Sequence, residues 1–501
     1  MKVKACPSRR RVGFLYLDMK ITAVTTVIVT IYIAFGFCAD CDVELLLEND
    51  VLDGAFVGIA VKNIDADSMI FSHNAHLRFT IASNLKLFTS AAALEIFGPN
   101  YRFITSFFIN GKIDKKGNLE GDLLIAGGGD PLISGRFRKS VTEVLDLWAD
   151  SIARKGVNNI KGDLVVDNNF FEDDELGPGW SHDDLTYWYA CPISALSFND
   201  NCVDLHVYPG EIIGRPCSIT LVPKTDYIDT VNGTITVAKG LNNTFDFYRY
   251  PGSNKVKFFG GIAIDDIDGV VDYVSVKNPH LYCAEVFRDI LEDHGLRIKG
   301  KIINVGRENI PPKYRYKNLI RLFDWCSDSL GVVISVINKN SQNFFAEQTL
   351  KTMGAELYGE GSFKLSTRLV ENWLESIGIG KDDVRYCDGS GLSYINLATP
   401  SAIIKLLEYM HTSPYFITYY ESLAIPTIDR SVRRRMTGHP LANKMRTKTG
   451  SIENTRTFSG YLTTRKDCLV AFSILVNNYS VETSEVDDWI DRVCAYFIDN
   501  F

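Results

Sequence analysis

Apolar and polar positions divide the chain into three unequal stretches. Residues 54–61 are nearly all apolar, Asp65-Ala66-Asp67-Ser68 has the composition of a turn, and Met69-Ile70-Phe71 is apolar again. Two short apolar runs around a polar turn predict a hairpin in a buried sheet. From Ser83 onward Leu, Phe and Ala fall on nearly every side of a 3.6-residue spiral until Gly98-Pro99, which predicts a central helix packed all round.

Residues 101–275 change character, with short alternating runs separated by Gly, Asp and Asn clusters. Strands are expected at 103–110, 119–126, 163–166 and 203–208. The Asp- and Asn-rich segment 167–175 lacks the glycine and glutamate spacing of an EF-hand and reads as a solvated loop. Helical periodicity returns at 280–294, 341–353, 362–377 and 401–411, followed by strands at 458–463 and 469–476. A closing helix at 485–498 carries Trp489, Val493, Tyr496 and Phe497 on one face and acids opposite, so it should pack on a sheet. The pattern predicts an α/β unit formed by residues 42–100 and 275–501, interrupted at 101–275 by a β-rich insertion of two smaller domains.

Composition adds boundaries rather than detail. A length of 501 residues exceeds one compact core, and 46% hydrophobic with 23% charged residues is ordinary for a globular protein. Lys2, Lys4, Arg9, Arg10, Arg11 and Lys20 precede an uncharged run at 21–39. This reads as an export signal, cut after Ala39 or shortened by a start at Met19, or as an uncleaved membrane anchor; either places the body outside the cytoplasm. The net charge of -8 therefore hides a still more acidic body, without the basic stripe that nucleic acid requires. Eleven cysteines at scattered spacings name no disulfide pairs, and Cys38-x-x-Cys41 straddles the expected cut. Eight histidines form no H-E-x-x-H pairing, so no catalytic zinc or other metal is expected, and no cofactor.

The candidate chemistry begins at Ser83 and Lys86, three residues apart at the head of the apolar helix. That spacing puts a hydroxyl and an amine on one face, one turn apart, so a serine nucleophile has a base within reach. A helix-start serine would look the same. Two further strings supply partners: Ser341-Gln342-Asn343 at a helix start, and Lys448-Thr449-Gly450-Ser451 at the start of a strand. S-x-x-K, S-D-N and K-T-G, in that order, are the set used by class A β-lactamases and penicillin-binding proteins. Here Gln342 replaces the central Asp.

On these motifs the chain resembles the penicillin-binding, serine-type D-alanyl-D-alanine carboxypeptidase and endopeptidase family of penicillin-binding protein 4 type, the class C low-molecular-mass penicillin-binding proteins. Gly121-Asp122-Leu123 leading to Gly129-Asp130-Pro131, Gly179-Trp180, residues 189–196 and Asp388-Gly389-Ser390-Gly391-Leu392-Ser393 fit the resemblance as well. So does the long interval from Ser83 to Ser341, since this family carries domains inserted there.

The resemblance implies a β-lactamase/transpeptidase-like fold, an antiparallel sheet with helices on both faces. It also implies hydrolysis of peptidoglycan stem peptides through an acyl-enzyme, with β-lactams as covalent inhibitors. Ser83 is then the nucleophile and Lys86 its base, Ser341 relays the proton to the leaving amine, and Asn343 binds the substrate backbone. Lys448 and Thr449 hold the terminal carboxylate, and Gly450 opens the strand edge to the substrate. The backbone N–H groups of Ser83 and Ser451 form the oxyanion hole.

Asp167 matches an acid implicated in holding the free amine of the stem's third residue, whereas Tyr394 stands where relatives often carry Arg. The Arg433-Arg434-Arg435 run reads as a solvated loop. A β-lactamase and a noncatalytic wall-binding protein on the same fold are the competing readings, and oligomeric state stays open.

Overall fold

The computed structural model describes residues 46–307 and 310–501; the N-terminal signal or anchor and Cys38-x-x-Cys41 lie outside them. Among the described residues, no helix is long and apolar enough to cross a membrane.

The larger unit, which carries Ser83, is built on a five-stranded antiparallel sheet in the order Ser68–His73, Phe56–Asn63, Leu469–Asn477, Thr455–Thr463, Arg446–Ile452. Its central strands read as continuous apolar runs because both faces are covered. Ile59, Val61, Phe472, Ile474 and Val476 join one buried cluster, under the Thr483–Asn500 helix and its Trp489 and Phe497. The intervening Ala60, Ala471 and Leu475 join the opposite cluster, as strand alternation requires. At the heart of that second cluster lies the Leu85–Phe97 helix, in which every residue from Leu85 to Leu94 is buried. The helices Leu330–Lys339, Asn343–Tyr358, Phe363–Ser376 and Pro400–Thr412 surround it.

The inserted unit differs from expectation in two respects. It contains a well-formed helix, Glu143–Arg154, whose Val144, Leu145, Trp148, Ala149 and Ile152 line one face. Trp148 lies 5.1 Å from the Phe107 ring and 5.6 Å from Phe287, in a large core to which all the inserted sheets contribute, while Phe108, Leu124, Val165, Val305 and Tyr314 form a smaller cluster of their own. The insert also ends later than 275. The strand Ile320–Ser329 pairs antiparallel with Arg102–Ile113, and Ile302–Val305 pairs with Leu164–Asp167, so the chain rejoins the larger unit at Leu330. Ile320–Ser329 is largely exposed and has little apolar alternation to announce its partner.

Two stretches expected to be solvated instead anchor the structure. In the loop after Asp167, Asp174 accepts a hydrogen bond from the fully buried Lys351 at 2.6 Å and another from the Phe363 backbone at 2.8 Å. Arg435 is buried against Asp487 and Asp491 of the C-terminal helix, at 2.9 and 2.7 Å, while Arg433 and Arg434 are exposed.

Candidate active site

Ser83 sits in a 3-10 turn, Ala82–Asn84, that leads directly into the buried Leu85–Phe97 helix. One turn on, Lys86 is wholly buried. Its Nζ lies 2.9 Å from Ser83 Oγ, 2.6 Å from Asn343 Oδ1 and 2.7 Å from the Ser390 carbonyl. As an ammonium it donates to all three. As a neutral amine its two N–H groups satisfy Asn343 and Ser390, and the lone pair faces the Ser83 hydroxyl. Burial pulls the Lys86 pKa down from 10.5 to about 7, against the opposing pull of Glu347 and Asp388. Neutral and charged amine are therefore both populated near neutrality.

The Ser341-Gln342-Asn343 string lies between the Leu330–Lys339 and Asn343–Tyr358 helices, with Ser341 at a left-handed φ of 56°. Ser341 Oγ accepts a 2.8 Å hydrogen bond from Lys448 Nζ. The Lys448 amine is held well below its ordinary pKa, by burial first and then by the charges of Lys86 and Arg456. Asn343 Nδ2 donates to the Tyr189 carbonyl at 2.8 Å, and among the described residues its second N–H has no acceptor.

Lys448, Thr449, Gly450 and Ser451 lie on the edge strand Arg446–Ile452. Gly450 also has a use within the fold. A Cβ there would meet Thr457 Oγ1 at 2.3 Å, the Ile81 carbonyl at 2.7 Å and the Ser83 nitrogen at 2.9 Å, so the glycine lets the strand press against the turn that carries Ser83. Gly391 does the same from the other side: its Cβ would lie 1.9 Å from the Ala82 carbonyl oxygen. Among the described residues, the Thr449 side chain makes no hydrogen bond.

These groups surround a cleft of about 400 Å³, walled by Ser83, Ser341, Asn343, Tyr394, Ser451 and Asp184. Asp167 is not part of it. Its carboxylate is buried in the insert, taking hydrogen bonds from Tyr316 Oη at 2.6 Å and the Asn169 nitrogen at 2.9 Å. Two acids do reach the cleft, Glu453 and Asp184, the latter bonded to Tyr189 Oη at 3.1 Å. Asp184 lies just past Gly179-Trp180, a string that pointed to the right region but not to the residue.

Two further acids were given no role in the sequence reading, although Asp388 stands in one of the strings that fit the resemblance. Glu347, fully buried, accepts from the Gly389 and Ser390 nitrogens at 2.7 and 2.8 Å, which fixes the loop whose carbonyl holds Lys86. Asp388 accepts from the Gly391 and Ser393 nitrogens, both at 2.8 Å, and from Trp180 Nε1 at 3.0 Å. Burial raises the pKa of each, and for Glu347 the neighbouring Asp388 adds to it. Neither spacing nor residue type distinguishes such acids from a solvated helix face. Among the described residues, no group of three His, Cys, Asp or Glu side chains is arranged to hold a metal ion.

Known proteins share this arrangement's setting. The solved structure of penicillin binding protein 4 (dacB) from Haemophilus influenzae superposes with a TM-score of 0.78 at 24% identity, covering 90% of this chain and 99% of that one, a likeness of fold. In sequence, a D-alanyl-D-alanine carboxypeptidase of Actinomadura sp. (strain R39) is 30% identical over 88% of this chain and 81% of its own length. D-alanyl-D-alanine carboxypeptidase DacB of Haemophilus influenzae is 28% identical over 85% and 86%. The D-Ala-D-Ala carboxypeptidase 3 (S13) family model matches residues 39–496, a span that takes in the whole cleft and the insert as well. With that match running from before the first strand into the last helix, the chain belongs to the D-Ala-D-Ala carboxypeptidase 3 (S13) family.

Proposed function

We propose that the cleft hydrolyses D-alanyl-D-alanine ends of peptidoglycan stem peptides through a serine acyl-enzyme. The observation that carries this reading is the buried Lys86 amine, 2.9 Å from the Ser83 hydroxyl and titrating near neutrality. Ser83 Oγ attacks the carbonyl carbon of the penultimate D-alanine while its proton passes to neutral Lys86. Backbone N–H groups of Ser83 and Ser451 receive the oxyanion. As the tetrahedral intermediate collapses, the C–N bond breaks and the departing amine receives, by way of Ser341, the proton that Lys86 took from Ser83, which leaves Lys86 neutral again; Lys448 holds Ser341 Oγ at 2.8 Å. Water then attacks the ester carbonyl and gives a proton to Lys86, which returns it to Ser83 Oγ as the ester C–O bond breaks and the shortened peptide leaves.

Lys448 and Thr449 are assigned to the terminal carboxylate, and the free N–H of Asn343 to the substrate backbone. Asp184, on the cleft wall, takes over the role the sequence gave to Asp167: an anion for the free amine of the stem's third residue. The same acyl transfer splits a D-alanine-to-diamino-acid crosslink when the leaving group is a second stem rather than free D-alanine. A strained β-lactam amide presents a like carbonyl and forms the same ester. The basic and apolar N-terminal segment supports action outside the cytoplasm.

Labelled penicillin tests the reading. The parent protein is expected to form a stable adduct and Ser83→Ala none; equal labelling of the two would remove Ser83 from the role. Rapid turnover of the antibiotic would favour a β-lactamase. Digestion of defined pentapeptide and crosslinked muropeptides separates carboxypeptidase from endopeptidase action, and binding without any product would mark a noncatalytic wall protein.

A further inference from the structure

Ser341 occupies a left-handed backbone conformation that disfavours any residue with a Cβ. Such a conformation persists only where its surroundings over-determine it. Its own hydroxyl ties it to Lys448 on the edge strand. The next residue ties the turn to the inserted unit. Gln342 is buried, and its Nε2 donates at 3.0 Å to Asp200 Oδ2 on the inserted unit.

Asp200 is itself held firmly. It is 2% exposed and ion-paired to Arg136, whose guanidinium lies 4.2 Å above the Tyr273 ring. It is the middle of three consecutive left-handed residues, Asn199, Asp200 and Asn201, the residue types that tolerate that conformation. Asn199 and Asn201 brace the turn by donating to Asp204 Oδ1 at 2.8 Å and to the Pro192 carbonyl at 2.7 Å. The same inserted segment binds the helix of Asn343 through further hydrogen bonds, from Asn343 Nδ2 to the Tyr189 carbonyl and from Gln348 Nε2 to the Ser194 carbonyl at 3.0 Å and Ser197 Oγ at 3.1 Å.

We propose that Asp200 is a positioning residue for Ser341 and Asn343: by gripping Gln342 between them it fixes the turn from which the Ser341 hydroxyl reaches Lys448. The inference rests on the acyl-transfer reading of Ser341 above. It also accounts for Gln342 where the related motif has Asp. A carboxylate at 342 would face the buried carboxylate of Asp200, and two such groups in contact cannot both stay ionised. An amide at 342 turns that repulsion into a hydrogen bond.

Asp200→Ala would strand a buried Arg136 and risks misfolding, so the test uses a charge swap. Gln342→Glu, nearly isosteric, is expected to slow acylation by labelled penicillin by about tenfold to a hundredfold, the scale of a small displacement of a reacting group. In D-alanine release the loss should fall on kcat, with KM and melting temperature little changed. Adding Asp200→Asn restores an amide–carboxylate pair with the charge transferred and keeps an anion near Arg136. The double variant is expected to recover most of the rate, a coupling that a double-mutant cycle reads directly. Gln342→Met, which removes the tether without adding charge, should slow acylation and find no rescue in Asp200→Asn.

Parent-like acylation of both Gln342 variants, or a double variant as slow as Gln342→Glu alone, would overturn the proposal while leaving the acyl-enzyme reading intact. A parent protein that takes no penicillin label would remove both.

Discussion

Lys86 Nζ stands 2.9 Å from Ser83 Oγ in a fully buried position, so whichever of the two holds the shared proton decides whether the serine can attack. The pKa of about 7 places that decision within the ordinary working range of an enzyme.

Acylation by labelled penicillin should therefore rise with pH through an apparent pKa near 7, as the Lys86 amine loses its proton. Lys86→Arg, which stays protonated, is expected to abolish the adduct. The same depressed pKa has a thermodynamic sign. Between about 7 and 10.5 the unfolded chain binds the Lys86 proton and the folded one does not, so this group's contribution to stability grows as pH rises across that window and is least favourable below it. The stability difference between parent and Lys86→Met, measured by chemical denaturation, should move in the parent's favour from neutral to alkaline pH.

Glu347→Gln should shift that kinetic limb to lower pH. Glu347 is the leading charge that holds the Lys86 pKa up, and a neutral amide withdraws that support. Gln has a single carbonyl oxygen to offer the Gly389 and Ser390 nitrogens, so the variant should also lose about 0.5–1.5 kcal/mol, the net worth of a typical hydrogen bond. The pH profile of acylation and a denaturant titration check the two effects separately.

Gly450→Ala should lower both stability and acylation. The added methyl has the Ile81 carbonyl and the Ser83 nitrogen within 2.9 Å, so strand and nucleophile turn must move apart. Overpacking of this kind costs about 1–3 kcal/mol. A thermal melt together with the penicillin rate measures it, and an unchanged rate would show that the Ser83 turn tolerates the displacement.

Asp184→Asn should weaken cleavage of stem peptides whose third residue carries a free amine, chiefly as a raised KM. Acylation by penicillin, which has no such group, should stay near the parent rate. Asp167→Asn, with its carboxylate buried against Tyr316, should leave the KM for the two classes of substrate in the parent ratio.

What could be read from the sequence follows a physical line. Ser83 and Lys86 were legible because helix geometry alone places residues three apart on one face. Ser341, Asn343 and Lys448 were legible as strings whose order matched a known chemistry. The sheet-forming runs of the catalytic unit announced themselves because both faces of that sheet are buried. Glu347, Asp388 and Asp184 were not legible, because their roles depend on which backbone nitrogens and which cleft the fold brings to them. Nor did the sequence show that the Asp167 carboxylate is bonded to Tyr316 and Asn169 inside the insert, or that strand pairing carries the insert past 275. Ile320–Ser329 finds its partner strand at Arg102–Ile113, and a half-exposed strand gives no sign of so distant a neighbour.

That strand pair defines how the accessory unit is attached. Ser329 lies opposite Arg102, and Leu330 and Gly331 donate backbone hydrogen bonds to Tyr101 and Pro99 at 2.8 and 3.0 Å, so the chain leaves and re-enters the catalytic unit at one seam. In covalent terms the insert is a pendant that a short bridge from Tyr101 to Leu330 could replace. Its hydrogen bonds say otherwise, since excision would strip Asn343 of the Tyr189 carbonyl and Lys351 of Asp174. A lineage could have acquired this lobe in a single event at the seam, but a descendant that discards it must first find new support for the helix that carries Asn343.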